Sequence, residues 1–500
     1  MRRLKEGMEI LMAVLSAAFL LFGPCMYASG SDRKLNINAM GRSELEELRL
    51  LTPFQIESLL EYRALWGDIL SAAELSLVDG FADDDVAAVS AVVTFDLAPS
   101  SSGRAKQSAS VRYRKPYDKK GFALTTKYEL ASERFGCGIV IDNDPGEKFP
   151  DFFSAYAQYG GALVGDFKAC FGQGLVLWKG MNFNSLGEPS AIVKKESGIQ
   201  GYKSSDEENN LRGIAYSGRW GNFSASAFAA VDNRIAGANA SLNYGTWKVG
   251  ATAVSGMSKD RRVWSNGSVD FYGSIGGVRL FGEFATNEKF SPAFRMGALW
   301  RPLYVLEVGV AAWVYAPAYK APEAVPSIKD QTGMELSARY SPGRWKFNAN
   351  LAYRYKFSTA GSSWKYRASI QYTFENGSSV LYHYRNGQHR LDGRLSYGNW
   401  RFEVRAEGNL KGYGLFAEAT YKRPGFEVTG RFTWYDTDGW DSRIYFYERD
   451  VPQSFSTVAY YNKGAGAYLV VRYTPVRFLD LWLKAQQNYL ACFMRITIPG

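Results

Sequence analysis

Phe347-Asn348-Ala349-Asn350-Leu351-Ala352-Tyr353-Arg354-Tyr355-Lys356-Phe357 places an apolar or aromatic residue at every odd position and, Ala352 apart, a polar one at every even position. Successive side chains of a β-strand point to opposite faces, so this stretch reads as a strand with one apolar face. The same alternation recurs in Tyr366-Arg367-Ala368-Ser369-Ile370-Gln371-Tyr372, in Phe402-Glu403-Val404-Arg405-Ala406-Glu407 and in Phe426-Glu427-Val428-Thr429. Working outward, strand pattern fills residues 108–500 without helical interruption, which is too long for one soluble sandwich. At roughly 18 residues per strand and turn, the segment holds on the order of 18 to 24 strands. Alternation alone fits a sandwich as well as a membrane barrel, but two further features favour the barrel. Tyr216-Ser217-Gly218-Arg219-Trp220, Tyr244-Gly245-Thr246-Trp247, Tyr340-Ser341-Pro342-Gly343-Arg344-Trp345 and Tyr397-Gly398-Asn399-Trp400 each read as a tight turn based on Tyr and Trp. Aromatic rings at strand ends suit a membrane interface, where the ring sits in lipid and its polar atom stays wet. Longer polar connections fall around 186–210, 256–268, 316–332 and 436–463, and short turns on one side with long loops on the other is the barrel asymmetry.

Composition agrees. With 500 residues, 15% aromatic (32 Tyr, 31 Phe, 13 Trp) and 50 Gly, the chain is too rich in large apolar groups to be disordered. No apolar run after the N-terminus is long enough for a helical membrane protein. Residues 1–30 read as a secretory signal peptide, with Arg2, Arg3 and Lys5 before an apolar stretch from Ile10 to Phe22 that Gly23-Pro24 ends. Cleavage is expected between Ala28 and Ser31. Cys137, Cys170 and Cys492 have no metal-ligand spacing and read as small apolar strand residues. The formal charge of +10 is unevenly held. Residues 32–98 carry five basic against thirteen acidic groups, a net of −8, and everything after residue 98 is +17.

Residues 34–98 have helical periodicity, with apolar groups at Leu45, Leu48, Ile56, Leu59, Leu60, Leu75, Val78, Val86 and Val89. Leu35-Asn36-Ile37-Asn38, Glu44-Leu45, Tyr62-Arg63, Gly67, Glu74-Leu75 and Val78-Asp79-Gly80-Phe81 together resemble the tandem helix-hairpin-helix domain of competence DNA receptors. In that family a glycine-rich turn points backbone N–H groups at a DNA phosphate, which implies Leu50, Leu51 and Thr52, and Gly80, Phe81 and Ala82, as the hairpin positions. The chain departs from the pattern there. Leu50 and Thr52 stand where the first hairpin has its glycines, Ala82 stands where the second has one, and Asp83-Asp84-Asp85 follows. Phosphate contact needs Lys and Arg, so the −8 charge favours a protein-contact or packing module over DNA binding.

Two barrel segments, Gly172-Gln173-Gly174-Leu175-Val176-Leu177-Trp178-Lys179-Gly180 and Tyr447-Glu448-Arg449-Asp450-Val451-Pro452, resemble segments of Gram-negative outer-membrane proteins in which a helix-hairpin-helix tandem precedes a large barrel. The resemblance implies place and shape. It marks Gly172, Gln173, Gly174, Trp178, Arg449 and Asp450 as lumen or plug residues, whose plainer reading is glycine where strands approach closely and Arg paired with Asp in the lumen. Residues 181–210 are the least strand-like stretch and a candidate inward loop. The lumen is either open or filled by loops. Catalytic material is scant. His383 and His389 flank the turn Asn386-Gly387, with Ser378 and Ser379 nearby, and read as polar turn residues. No metal site, cofactor or enzyme is expected.

The expected architecture is therefore mainly β: a large antiparallel transmembrane β-barrel (108–500) behind a linker (99–107), preceded by a small all-α helix-hairpin-helix domain (31–98). The expected partners are outer-membrane lipid, periplasmic proteins and an anionic solute. Three functions compete: transport or envelope assembly at the outer membrane, DNA uptake through the hairpins, and a docking scaffold for a secretion complex.

Overall fold

The computed structural model describes residues 35–498 except 49, 52, 67–68, 70–74, 76–77, 79–80, 82, 96–104, 133, 181–187, 195, 232–233, 245–246, 259, 276–277, 304, 326–327 and 455. The signal peptide assigned to residues 1–30 and most of the 99–107 linker lie outside the described residues. The chain divides into two compact units, Met1–Pro99 and Ser100–Gly500.

In the first unit, Leu35–Asn36 pairs in parallel with Val93–Thr94, which brings the ends of the described segment together. Between them lie helices Arg42–Glu47, Pro53–Trp66 and Asp83–Val92. Local chemistry sets the first two starts. The Gly41 N–H donates to Glu44 Oε2 at 2.7 Å, and Pro53 occupies a first helical position that has no amide to satisfy. Ile37, Leu45, Ile56, Leu59, Leu75 and Val89 form the core. The buried Asn38 amide donates to the Ile69 carbonyl and accepts from the Ile69 N–H, both at 2.7 Å, so neither polar group is orphaned.

The second unit is a closed barrel of 24 antiparallel positions, at the upper end of the expected range. Each strand pairs with the next in sequence, and Tyr489–Ile498 pairs with Lys106–Pro116 to close the ring. The barrel thus begins two residues before position 108. Gly198–Gly201 and Leu211–Trp220 share one position, pairing with the two halves of Ala162–Cys170. The hairpin Ile444–Tyr447 with Thr457–Tyr460 stands apart from the barrel sheet, inside the connection 438–462. Both terminal strands begin or end at the same rim, and at that rim every connection is two to five residues long. The opposite rim bears all the long connections, including 171–197, 316–330 and 438–462.

Strand faces follow the sequence pattern. In the hairpin Gln388–Tyr397 and Trp400–Asn409, Leu391, Leu395, Tyr397, Trp400, Phe402 and Val404 are exposed on the outer face, while Arg390, Asp392, Arg394, Arg401, Glu403 and Arg405 alternate with them on the inner. A continuous apolar outer surface around a ring with no free strand edge is what lipid requires, so the barrel is transmembrane. At the short-turn rim, Tyr244 lies opposite Trp247 and Tyr397 opposite Trp400. Trp345 packs on Tyr372 at 4.7 Å and Trp400 on Tyr421 at 5.0 Å. One of the four turn signatures is different. Tyr216–Trp220 lies within the strand Leu211–Trp220, and the turn is Gly221-Asn222, with Gly221 at φ +59. Gly218 is instead a strand glycine against which the Trp220 ring packs.

Candidate functional site

The lumen is partly filled by two long connections folded back onto opposite sectors of the wall. The first starts at the glycine motif itself. The sequence places residues 172–180 just before an inward loop of 181–210; instead Phe171–Gly180 already lies inside, residues 188–194 follow the wall, and Gly198–Gly201 has rejoined the sheet. Leu175, Val176 and Leu177 are buried among Phe228, Val254, Trp313, Tyr315 and, from connection 316–330, Tyr319 and Val325.

Glu283, on the wall and only 1% exposed, receives this turn. Its Oε2 accepts from the Gln173 N–H at 2.6 Å and the Leu175 N–H at 3.1 Å. Gly172 (φ +58) passes so close that a Cβ would lie 2.8 Å from Glu283 Oε2, and Gly174 (φ +81) is as close to Val325. Both positions therefore need glycine for conformation and for space. Gln173 pairs with the Lys194 backbone in both directions, at 3.1 and 2.9 Å. Trp178 donates its backbone N–H to the Glu323 carbonyl at 2.7 Å, and the Lys194 ammonium sits 5.1 Å above its ring. Burial beside Arg295 pushes the Lys194 ammonium pKa down to about 8. Further along, Glu188 pairs with Arg339 and Lys346, Glu196 with Lys248, and Ile192 packs on Phe281 and Leu299.

The second connection carries Tyr447–Pro452 inward to the other side. Arg449 and Asp450 do not pair with each other, contrary to the sequence reading. Arg449 Nε donates to Glu418 Oε1 at 2.7 Å, and Glu418 also takes Arg431 at 2.7 Å and the Tyr468 hydroxyl at 2.7 Å. Lys484 is fully buried, with its ammonium 3.4 Å from Glu448 and 3.5 Å from Asp450. Asp450 also accepts from the Tyr489 hydroxyl at 2.8 Å, and Val451 is buried against Tyr489 and Phe493. Three consecutive loop charges are thus each matched by the wall. The resemblance marked Arg449 and Asp450; Lys484, Glu418 and Glu283 carried no signal of their own, because their partners are remote in sequence.

Among the described residues, none of these bonds or clusters reaches the four strands between Gly361 and Asn409. Residues 361–409 contain seven basic and four acidic groups, the largest share of which alternates onto the inner face. Asp392 lies between Arg390 and Arg405, and Glu403 between Arg394 and Arg405.

The histidines do not converge. His383 is on the inner face, opposite Ser369 and Arg390, whereas the His389 ring is outside at 2.8 Å from the Tyr382 hydroxyl. Ser378 Oγ accepts from the Ser396 N–H. In the first unit, Leu50 and Leu51 pack against the helical core and Phe81 is buried, while Thr52, Gly80 and Ala82 lie outside the described residues.

No family model and no curated protein matches the chain. Solved structures similar to it include the siderophore receptor PirA of Acinetobacter baumannii, at 9% identity over 81% of this chain and 82% of that one, with a TM-score of 0.40. The P pilus usher PapC in an E. coli pilus tip assembly intermediate matches 80% of this chain and 62% of its own at 9% identity, with a TM-score of 0.48. OccAB3 of Acinetobacter baumannii matches 79% and 99% at 10% identity, with a TM-score of 0.31.

Proposed function

We propose that the chain is an outer-membrane channel that passes anionic solutes along the uncovered sector of its wall, with residues 31–98 as a periplasmic protein-contact module. One observation carries this reading: two inward connections narrow a 24-position barrel from opposite sides and leave the basic strands 361–409 lining what remains. A low-dielectric tunnel lined by one sign of charge concentrates the opposite ion. The purified protein in planar bilayers under a potassium chloride gradient is expected to conduct with a reversal potential that favours chloride. Absence of conductance, or a cation preference, sinks the reading.

For residues 31–98, the apolar hairpin residues Leu50, Leu51 and Phe81 turn into the core and the segment is acidic. The full-length protein is therefore expected to leave the fluorescence anisotropy of a labelled duplex unchanged at low salt. Saturable binding that weakens with salt would restore the DNA-uptake reading.

A further inference from the structure

Several charged groups on the inner wall are grouped around shared counter-charges. Arg431 and Arg449 share Glu418; Arg472 and Arg495 share Asp480; Arg390 and Arg405 share Asp392. Arg354, Lys365, Arg367 and Arg385, on three successive strands, are arranged differently. Among the described residues none of the four has an ion-pair partner. The register sets Arg367 directly opposite Arg385, and Arg354 and Lys365 diagonal across the neighbouring pair. Lys365 feels the like charge of all three arginines. Side chains directly opposite in an antiparallel pair have Cβ atoms about 5 Å apart, so like charges there oppose folding. Glu335, a carboxylate whose charge Arg367 feels, has Oε1 held by the Asn350 amide at 2.6 Å. The Nε atoms of Arg354 and Arg367 are buried without a hydrogen-bond acceptor.

From this we infer that the cluster is a binding site for a small solute carrying two or more phosphate or carboxylate groups, an inference that rests on the anion-channel reading. The chemistry follows from the donors. Guanidinium forks bind oxyanions of either kind through paired N–H bonds, and a flexible ammonium adds a point charge. Three strands about 4.8 Å apart spread the cations over about 10 Å, enough to engage two anionic groups of one molecule at once. Strand direction places the cluster in the half of the wall nearer the long connections. Arg354 also faces the Trp313 ring at 6.0 Å, on the flank covered by the first inward connection.

The test is open-channel block of the full-length protein by tripolyphosphate and by citrate, with inorganic phosphate for comparison. Block by tripolyphosphate, citrate or both is expected at lower concentration than by phosphate. Arg367→Gln/Arg385→Gln is expected to raise the half-blocking concentration about tenfold or more, as loss of two charge-assisted contacts implies. Lys365→Gln provides a second, smaller step. Chloride preference, retained in the variants through the remaining arginines, separates this site from the general reading and shows that the barrel still forms. An anion-selective channel that neither polyanion blocks, or whose block ignores these substitutions, overturns the site alone. A channel without anion preference overturns the reading beneath it.

Discussion

Glu283→Ala is expected to enlarge the channel. The wild-type carboxylate holds the glycine turn through two backbone N–H groups, and bonds to a charged group contribute about 1.5 to 3 kcal/mol each. Losing both shifts the folded-in state of the connection by a factor on the order of a hundred or more. Because an unfilled barrel of this size encloses a wide aqueous bore, the change should be plain in single-channel recordings, as higher mean current and added open-state noise. Gly172→Val attacks the same contact from the other side, through positive φ and a Cβ that meets the carboxylate. Both variants should keep the heat-modifiable gel mobility of a closed barrel. Wild-type current in both would mean that the apolar cluster around Leu175 and Tyr319 holds the segment alone, and the role assigned to Glu283 would fall.

The second large effect is at Lys484. Its ammonium is shared by Glu448 and Asp450, and Lys484→Met leaves two carboxylates buried with no cation. Breaking a buried pair by removing one partner costs about 3 to 5 kcal/mol. The connection 438–462 can avoid that by leaving the lumen. Trypsin added to proteoliposomes is then expected to cut after Arg449, which the wild type protects by binding it to Glu418. Adding Glu448→Gln and Asp450→Asn to Lys484→Met removes the stranded charges and is expected to restore most of the protection. Equal resistance of Lys484→Met and wild type would show that this ion group does not hold the segment.

The wall was legible in the sequence because a strand with lipid on one side must alternate, and the alternation at Phe347–Phe357 is the outward and inward parity of its strand. Tight turns were legible for the same local reason, and the exception is instructive. Gly218 sits between Tyr216 and Trp220 as a turn glycine would, yet its lack of a side chain serves the neighbouring indole. The inward connections were only half legible. Gly172 and Gly174 signal an unusual backbone, but whether a loop enters a barrel depends on wall groups such as Glu283, 110 residues from Gln173. Arg449 and Asp450 were misread as mutual partners because adjacency in sequence is visible and a buried lysine 36 residues from Glu448 is not.

The closing seam has a consequence for assembly. Every other junction of the ring joins strands that are neighbours in the chain, but Gln107 meets Ile498 across nearly four hundred residues. By loop-closure entropy, joining ends that far apart costs about 3 kcal/mol more than closing a hairpin of about 20 residues. Twenty-three junctions can zip locally; the last must wait for the whole chain to be synthesised and nearly curled. Until then both Lys106–Pro116 and Tyr489–Ile498 offer bare backbone edges, and a helper that inserts this protein into a membrane has those two edges to grip.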